Sequence, residues 1–363
     1  MIITAALIFS FTLIRLIVVL ANYIADNHLP RSDKNYNKLV SVLIPARNEE
    51  ANISNILNDL KIQSYKNIEV IIFNDQSDDN TEEIVTEYTK SDNRFSLVNS
   101  ASLPEDWYGK NYACHSLAAK ASGEYLLFLD ADVRISGRLI ADTISLAERK
   151  KPGLISVFPE QEIVSAGEAM TVPDMNFILL SLLPLPLVGK SSYPSLAAAN
   201  GQFMFFDAEV YRKMRPHEKM KAEKVEDIET ARFFKRNDIR VECLLGDERI
   251  RCRMYKGFSD AVNGFSKNVF SFFGNSFILA LLFWLVTSFG FLVIIYYMPV
   301  LFAIIYILAG LTIRILVSLA SRQSVFKNLI YLLPLQLSLG LFIYKAFLNR
   351  YFRSFEWKGR KIH

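Results

Sequence analysis

Two aspartates separated by one alanine, Asp130-Ala131-Asp132, close an apolar run that begins at Tyr125. Carboxylates this close repel each other unless a cation stands between them. Hard oxygen donors of this kind suit Mg2+ or Mn2+, which bind one or two carboxylates together with substrate phosphates. Ordinary turn residues are the plain alternative, because an Asp-x-Asp alone is common. Asp75 ends a second apolar run, "IEVIIFND", and is spare for capping, since Ser77 or Asp78 would cap the next helix equally well. Lys110, in "WYGKNYAC", stands at a predicted helix start, a position that favours phosphate; a solvated lysine is the alternative. Together these groups suit a diphosphate and the divalent cation it carries.

Other chemistries find less support. No G-x-G-x-x-G follows the first strand and no G-x-x-x-x-G-K-[ST] occurs, which weakens dinucleotide and P-loop readings. The cysteines, Cys114, Cys243 and Cys252, are odd in number, lack metal or disulfide spacing and fit a reducing compartment. His28, His115, His217 and His363 are scattered, which argues against zinc. The net charge of +4 is mild, and no motif speaks for nucleic acid. The basic residues cluster near apolar segments, as contact with anionic headgroups requires.

The elements that must position the acids alternate. "LVSVLIPARNEE", "IEVIIFND", "FSLVN", "EYLLFLD" and "GLISVF" read as strands. "ANISNILNDLKIQ", "SDDNTEEIVTEYTK", Trp107–Ser122 and Gly137–Arg149 read as the helices between them. This rhythm predicts an α/β fold with a parallel sheet wound by helices. Ligands of such sheets bind outside the carboxyl ends of the strands. Pro45 to Glu50, Asn74-Asp75 and Asp130 to Asp132 are therefore expected in one crevice.

The chain has 363 residues, 51% of them hydrophobic, and the apolar excess lies at its two ends. Ile2 to Ile24 is long enough to cross a bilayer. A signal peptide is the rival reading, but no charge precedes the run, whereas Arg31, Lys34 and Lys38 follow it. The positive-inside rule then sets the following domain in the cytoplasm. Ser276 to Ala320 predicts two helices joined at Tyr296-Tyr297-Met298-Pro299, and Leu329 to Phe347 a third apolar segment. The expected organisation is an anchor at 1–25, a cytoplasmic catalytic domain at 38–270, transmembrane helices at 276–348 and a basic tail at 349–363. That tail holds Arg350, Arg353, Lys358, Arg360 and Lys361. Three C-terminal crossings would set it outside, so either one segment is re-entrant or interfacial or the rule fails. The apolar, proline-bearing stretch at about 168–190 is expected to be amphipathic or partly inserted, admitting a lipid acceptor from the membrane.

"SVLIPARNEE", "IIFNDQSDDNT", "LFLDADV" and "EKVEDIETAR" occur in the order found in family 2 glycosyltransferases, which this chain resembles over about Leu39 to Lys267. "WYGKNYAC", "RMYKGFSDAVNGFSKN" and "EWKGR" look like the membrane-bound bacterial branch that glycosylates carotenoids and its hopanoid-associated relatives. The resemblance implies a GT-A-like sheet with flanking transmembrane helices in the cell membrane, a nucleotide-diphosphate sugar donor, Mg2+ or Mn2+, and a lipid acceptor. It also implies roles. Pro45, Ala46, Asn48 and Glu50 resemble the nucleoside loop, and Asp75 the aspartate that reads uracil. Asp130 resembles the ribose and diphosphate side of the motif, and Asp132 the metal ligand. Glu226-Asp227 resembles the acidic pair whose aspartate is the general base, and Gly201-Gln202 the acceptor wall. Asp227 as a helix-surface acid and Gly201 as a plain turn are the alternatives.

No Q-x-x-R-W of the processive members is present; "RCRMYKGF" occupies that region, and Arg253 within it is expected to face the leaving diphosphate. One sugar transferred to a lipid with inversion is thus the expected reaction. A pyrophosphate-cleaving enzyme and a non-catalytic membrane scaffold remain as alternatives, the latter disfavoured by Asp75, Asp130, Asp132 and Asp227 occurring together.

Overall fold

The structure, a computed structural model, describes residues 1–352, 355–357 and 360–362; Arg353 and Lys358 of the expected basic tail lie outside the described residues. In chain order the first elements are α1 (Ile2–Ala25), β1 (Val40–Ala46), α2 (Ile53–Ile62), β2 (Ile68–Asn74), α3 (Thr81–Ser91) and β3 (Phe95–Asn99). Next come α4 (Gly109–Lys120), β4 (Tyr125–Leu129), β5 (Val133–Ile135), α5 (Leu139–Lys150), β6 (Leu154–Phe158) and β7 (Glu160–Gln161). The middle continues with α6 (Ala166–Ala169), α7 (Pro173–Leu182), α8 (Leu185–Val188), β8 (Phe203–Asp207), α9 (Ala208–Met214), α10 (Pro216–Lys219) and α11 (Glu226–Arg236). Then follow β9 (Val241–Leu245), β10 (Ile250–Cys252), α12 (Phe258–Asn268), α13 (Phe277–Tyr297), α14 (Val300–Ala320), α15 (Val325–Ile330) and α16 (Leu332–Phe352). The strands β11 (Phe355–Trp357) and β12 (Arg360–Ile362) pair antiparallel at the end.

The chain forms two compact units. One contains His28–Glu160 and Leu187–Cys252; the other contains Met1–Asn27, Gln161–Pro186 and the chain from Arg253 onward.

The first of these is built on a sheet of order β3-β2-β1-β4-β8-β6-β9. Its strands carry the β-branched and aromatic residues that fit a pleated, buried surface. β1 is parallel to both β2 and β4, and β2 to β3. Tyr125 to Leu129 is buried throughout, as a strand covered on both faces must be. The expectation of an all-parallel sheet needs correction. β8 lies antiparallel between β4 and β6, pairing Leu129 with Phe203 and Ser156 with Met204. The chain leaves this unit after Glu160 and returns at Leu187. The Phe203 to Phe206 run of β8 is buried in the sheet. Because β1, β2 and β4 share one direction, their carboxyl ends, at Ala46, Asn74 and Leu129, fall on one edge.

The second unit gathers the apolar helices. α1, α13, α14 and α16 are each long and apolar enough to cross a membrane. Many of their large side chains face outward, among them Leu7, Ile17, Leu292 and Leu308, as a lipid environment requires. Pro334 lies in the first turn of α16, where its missing N–H costs no helical bond. The expected interfacial stretch breaks into α6, α7 and α8. α7 is not amphipathic: Pro173 through Ser181 are all buried. Its polar groups are taken up by the long helices of the same unit. Arg314 approaches Asp174 at 3.4 Å, Ser338 donates to Asp174 Oδ2 at 3.0 Å, and Arg15 donates to Ser181 Oγ at 3.1 Å. Asn22 donates to the carbonyls of Leu180 and Leu183 and accepts from the Leu185 N–H, each at 2.8 Å.

Candidate active site

The loops after β1 and β2 are laced into one wall. Asp75 N–H donates to the Ala46 carbonyl at 2.8 Å, and Arg47 Nη1 donates to the carbonyls of Asp75 and Gln76 at 2.6 and 2.8 Å. Asn48 takes a left-handed backbone with φ of +52°, which asparagine tolerates better than most residues. Its Oδ1 accepts from Asp78 N–H at 2.9 Å. Glu50 N–H donates to Asp79 Oδ2 at 3.0 Å, and Glu50 Oε2 accepts from Asn80 Nδ2 at 3.0 Å. Pro45, Ala46, Asn48, Glu50 and Asp75 thus line neighbouring strand ends, as expected. Asp75 is buried at the end of β2. The α3 cap differs from the sequence reading. Neither Ser77 nor Asp78 caps that helix; Asp79 Oδ1 accepts from Thr81 N–H at 3.0 Å and from its hydroxyl at 2.5 Å. Asn80 takes the N-cap position without a side-chain cap, and Asp79 closes a side-chain turn just before it.

The acids surround one lysine. Lys110 lies in the first turn of α4, its Nζ 2.9 Å from Asp130 Oδ1 and 3.3 Å from Glu226 Oε1. Burial alone would lower the lysine pKa, but Asp130 and Glu226 more than reverse this and hold it well above the usual range. Asp227, at the start of α11, accepts from Gly201 N–H at Oδ2, 2.9 Å away, and from Ile228 N–H at Oδ1, 2.7 Å away. Its pKa is raised to about 7, by burial first and then by the neighbouring Glu226. Space at Gly201 is tight: a Cβ on it would lie 3.0 Å from Lys110 Nζ and 3.3 Å from Glu226 Oε1.

Asp130 and Asp132 bracket the turn between β4 and β5. Asp130 N–H donates to the Gln202 carbonyl at 3.3 Å, which ties the turn to the loop bearing Gly201, just before β8. Burial, then Asp130, then Glu49 raise Asp132 to about 7. Its Oδ1 is buried without a hydrogen-bond partner. Among the described residues, no group of three or more His, Cys, Asp or Glu side chains would hold a metal ion alone. An unsatisfied carboxylate oxygen beside a second carboxylate nevertheless fits a cation whose remaining ligands are phosphate oxygens.

Arg253 opens the other unit's C-terminal segment, where its Nη2 donates to Glu168 Oε1 at 2.8 Å. Glu168 is fixed in turn by a capping box with Ser165.

Sequence reasoning passed over Asn111 and Cys252. Asn111 is buried one residue after Lys110, and its Nδ2 donates to the carbonyls of Met220 and Glu223 at 2.6 and 3.0 Å. Tyr108 N–H donates to the Lys221 carbonyl at 2.8 Å, and Lys221 pairs with Asp106. The α4 entry therefore grips the segment that leads into Asp227. The signal available in sequence was only a buried-type polar residue beside a candidate lysine. Cys252 contacts Gln202 across fifty positions of chain, a distance no local pattern reports.

Three comparisons bear on this arrangement. Residues 41–215 match Glycosyl transferase family 2. The chain is 28% identical, over 63% of its length and 60% of the relative's, to a 4,4'-diaponeurosporenoate glycosyltransferase of Staphylococcus haemolyticus. It is 33% identical to the protein of the same name in Staphylococcus aureus, over 34% of this chain and 33% of that one. The chain thus spans less than two thirds of these relatives. A mannosyltransferase from Pyrobaculum calidifontis, solved with GDP-Man and Mn2+, superposes with a TM-score of 0.58 at 15% identity, covering 96% of this chain and 99% of that one.

Proposed function

From the premise that this chain is a glycosyltransferase carrying a family 2 domain of GT-A-like fold, we propose that it moves one sugar from a nucleotide-diphosphate donor, UDP-linked, to a lipid in the membrane, with inversion. The observation that carries this reading is the meeting of Lys110, Asp130, Glu226 and Asp227 around Gly201 at the carboxyl edge of the sheet. One lysine faces several acids there, so a bare diphosphate would be repelled. The reading accordingly includes Mg2+ or Mn2+, held by Asp132 with Asp130 beside it. When bound, the cation supplies positive charge against the departing nucleoside diphosphate.

The chain's own residues do the rest. Pro45, Ala46, Asn48 and Glu50, with Asp75, hold the nucleoside in the wall formed by the first two strand ends. Lys110 exchanges part of its contact with Asp130 and Glu226 for the diphosphate, and its charge counts most as the leaving group departs. Asp227 takes the proton of an acceptor hydroxyl as that oxygen attacks the anomeric carbon. Its pKa near 7 suits a base at neutral pH. Both its oxygens accept backbone N–H groups, so the carboxylate is oriented before the acceptor arrives. Gly201-Gln202 bounds the acceptor side. If the acceptor is itself a carboxylic acid it arrives ionised and Asp227 matters less. Arg253 is engaged with Glu168 inside its own unit, and the mechanism gives it no step.

The acceptor reading draws on two supports. One is the relatives' name, which specifies a carotenoid acid; a carotenoid or another terpenoid is the proposed class here. The other is the four apolar helices, which support a multi-pass membrane protein. Arg31, Lys34 and Lys38 after α1 support a cytoplasmic catalytic domain at 38–270. The test is incubation of the purified protein in lipid with several UDP- and GDP-sugars, a lipid extract and Mn2+. A lipid gaining the mass of one sugar supports the proposal. Donor hydrolysis without a glycolipid favours pyrophosphate cleavage, and donor binding without turnover favours a scaffold.

A further inference from the structure

Asn22 lies in the last turn of α1, and its side chain holds the backbone of Leu180, Leu183 and Leu185. α1 ends at Ala25, about 4.5 Å further along the helix axis at 1.5 Å per residue. Tyr23, next to Asn22, is exposed, as an aromatic at the headgroup level is, and Arg31, Lys34 and Lys38 follow. Leu185 is thus fixed at the depth where α1 ends, and α8 carries the chain on from there without a break to Val188.

Beyond Leu185 the surface turns apolar. Leu187 is 42% exposed and Tyr193 is 70% exposed, with Lys190 exposed between them. The loop that carries them is fastened at its base. Lys235 of α11 is buried, and its Nζ donates to the carbonyls of Val188 and Ser191, each at 2.7 Å. Gly189 packs so close to Glu242 that a Cβ on it would lie 2.6 Å from the carboxylate. Tyr193 N–H donates to Ser191 Oγ at 3.1 Å, and Leu196 N–H donates to the Tyr193 carbonyl at 3.0 Å. Leucine, lysine and tyrosine shown outward on one held loop are the residue types of a membrane–water interface.

We propose that the loop from Leu187 to Tyr193 is a membrane contact: Leu187 and Tyr193 enter the headgroup layer, and Lys190 meets lipid phosphates there. Lys235 joins this contact to α11, the helix that begins with Glu226-Asp227. The element bearing the proposed base is thereby fastened to the part of the chain that meets lipid. The contact presupposes the proposed membrane-spanning helices, and its test tells the two apart.

The experiment puts a nitroxide on single added cysteines of the full-length protein in phosphatidylcholine–phosphatidylglycerol bilayers. Electron paramagnetic resonance then compares relaxation by oxygen, which concentrates in lipid, with relaxation by a water-soluble nickel chelate. Cys114, Cys243 and Cys252 are buried, and wild type taken through the same labelling supplies the background. Leu292→Cys, on an exposed apolar position of α13, marks the bilayer, and Glu87→Cys, exposed on α3, marks water. Ser192→Cys, exposed beside Tyr193, is expected to show nickel access about threefold or more below that of Glu87→Cys, as entry into the interface requires. Adding Leu187→Ser and Tyr193→Ser is expected to restore nickel access at the same label. Nickel access at Ser192→Cys equal to that at Glu87→Cys, with Leu292→Cys in lipid, overturns the contact and leaves the membrane reading standing. A label that stays shielded after both serine substitutions overturns the part given to these two side chains. Dipolar broadening at Ser192→Cys would show a second copy seated on the loop and overturn the lipid assignment. Leu292→Cys as open to nickel as Glu87→Cys overturns the membrane reading itself.

Discussion

Gly201 donates its backbone N–H to Asp227 Oδ2 at 2.9 Å, while the place of its absent Cβ lies 3.0 Å from Lys110 Nζ. One residue therefore fixes the carboxylate and leaves room for the lysine. Gly201→Ala is expected to push the lysine tip aside while keeping the N–H bond. Transfer should fall about tenfold or more, the scale of a misplaced charge in a preorganised site, with the fold intact by circular dichroism. A transfer rate equal to wild type would show that the lysine tolerates the shift.

Asn111 couples the lysine helix to the segment before Asp227 through two partly buried bonds. Asn111→Ala leaves the carbonyls of Met220 and Glu223 short of a donor, a loss of about 1–3 kcal/mol. The expected result is a lower kcat with donor KM little changed, because the base side moves and the nucleoside wall does not. A rise in donor KM alone would contradict this positioning role.

Asp227 sits near pH 7 because it is buried beside Glu226. A base must be ionised, so transfer is expected to rise with pH and to level off above about 7. At saturating Mn2+, Asp132 stays ionised, and the acid limb should fall about tenfold per pH unit from one group. At limiting Mn2+ the limb should steepen, because Asp132 also titrates near 7. A flat profile between pH 5 and 8 at saturating Mn2+, measured against a hydroxyl acceptor, would remove Asp227 as base.

In the helical unit, Asp174 is the carboxylate that faces Arg314. Removing one partner of a buried pair leaves the other uncompensated, a cost of about 3–5 kcal/mol. Asp174→Ala is expected to lower the melting temperature in detergent by several degrees, and the double variant Asp174→Ala, Arg314→Met to recover part of it. No recovery would mean that the pair is not what the single variant breaks.

Much of the site was legible because it is local. "YLLFLDADV" carries in one stretch both the buried strand and the acids at its end, and the same holds for Asp75 after β2. What the sequence withheld is pairing across distance. β8 lies antiparallel beside β4 because the chain returns from the other unit, which the strand–helix rhythm of residues 39–160 does not encode. Cys252 shows no motif, yet strand pairing with β5 sets it opposite Val133, the residue after Asp132. α7 has the composition of either a buried or an interfacial segment, and the partners that decide, Arg15, Asn22 and Arg314, lie on helices far along the chain. The cap foreseen for Ser77 or Asp78 is not made: α3 begins at Thr81 with Asn80 at the N-cap position and no capping side chain, because the run of Ser, Asp and Asn before it offers several near-equivalent starts.

The central claim is that Asp227 serves transfer and not donor binding, with the cation on Asp132 as its counterpart. Asp132→Ala is expected to abolish metal-dependent turnover. The most direct measurement compares wild type and Asp227→Asn in lipid, following UDP-sugar binding by calorimetry and glycolipid formation by mass spectrometry. Unchanged donor affinity with transfer to a hydroxyl reduced by about a thousandfold or more is the result expected for loss of a general base in an oriented site. Asp227→Asn glycosylating a hydroxyl-bearing lipid at the wild-type rate would contradict it.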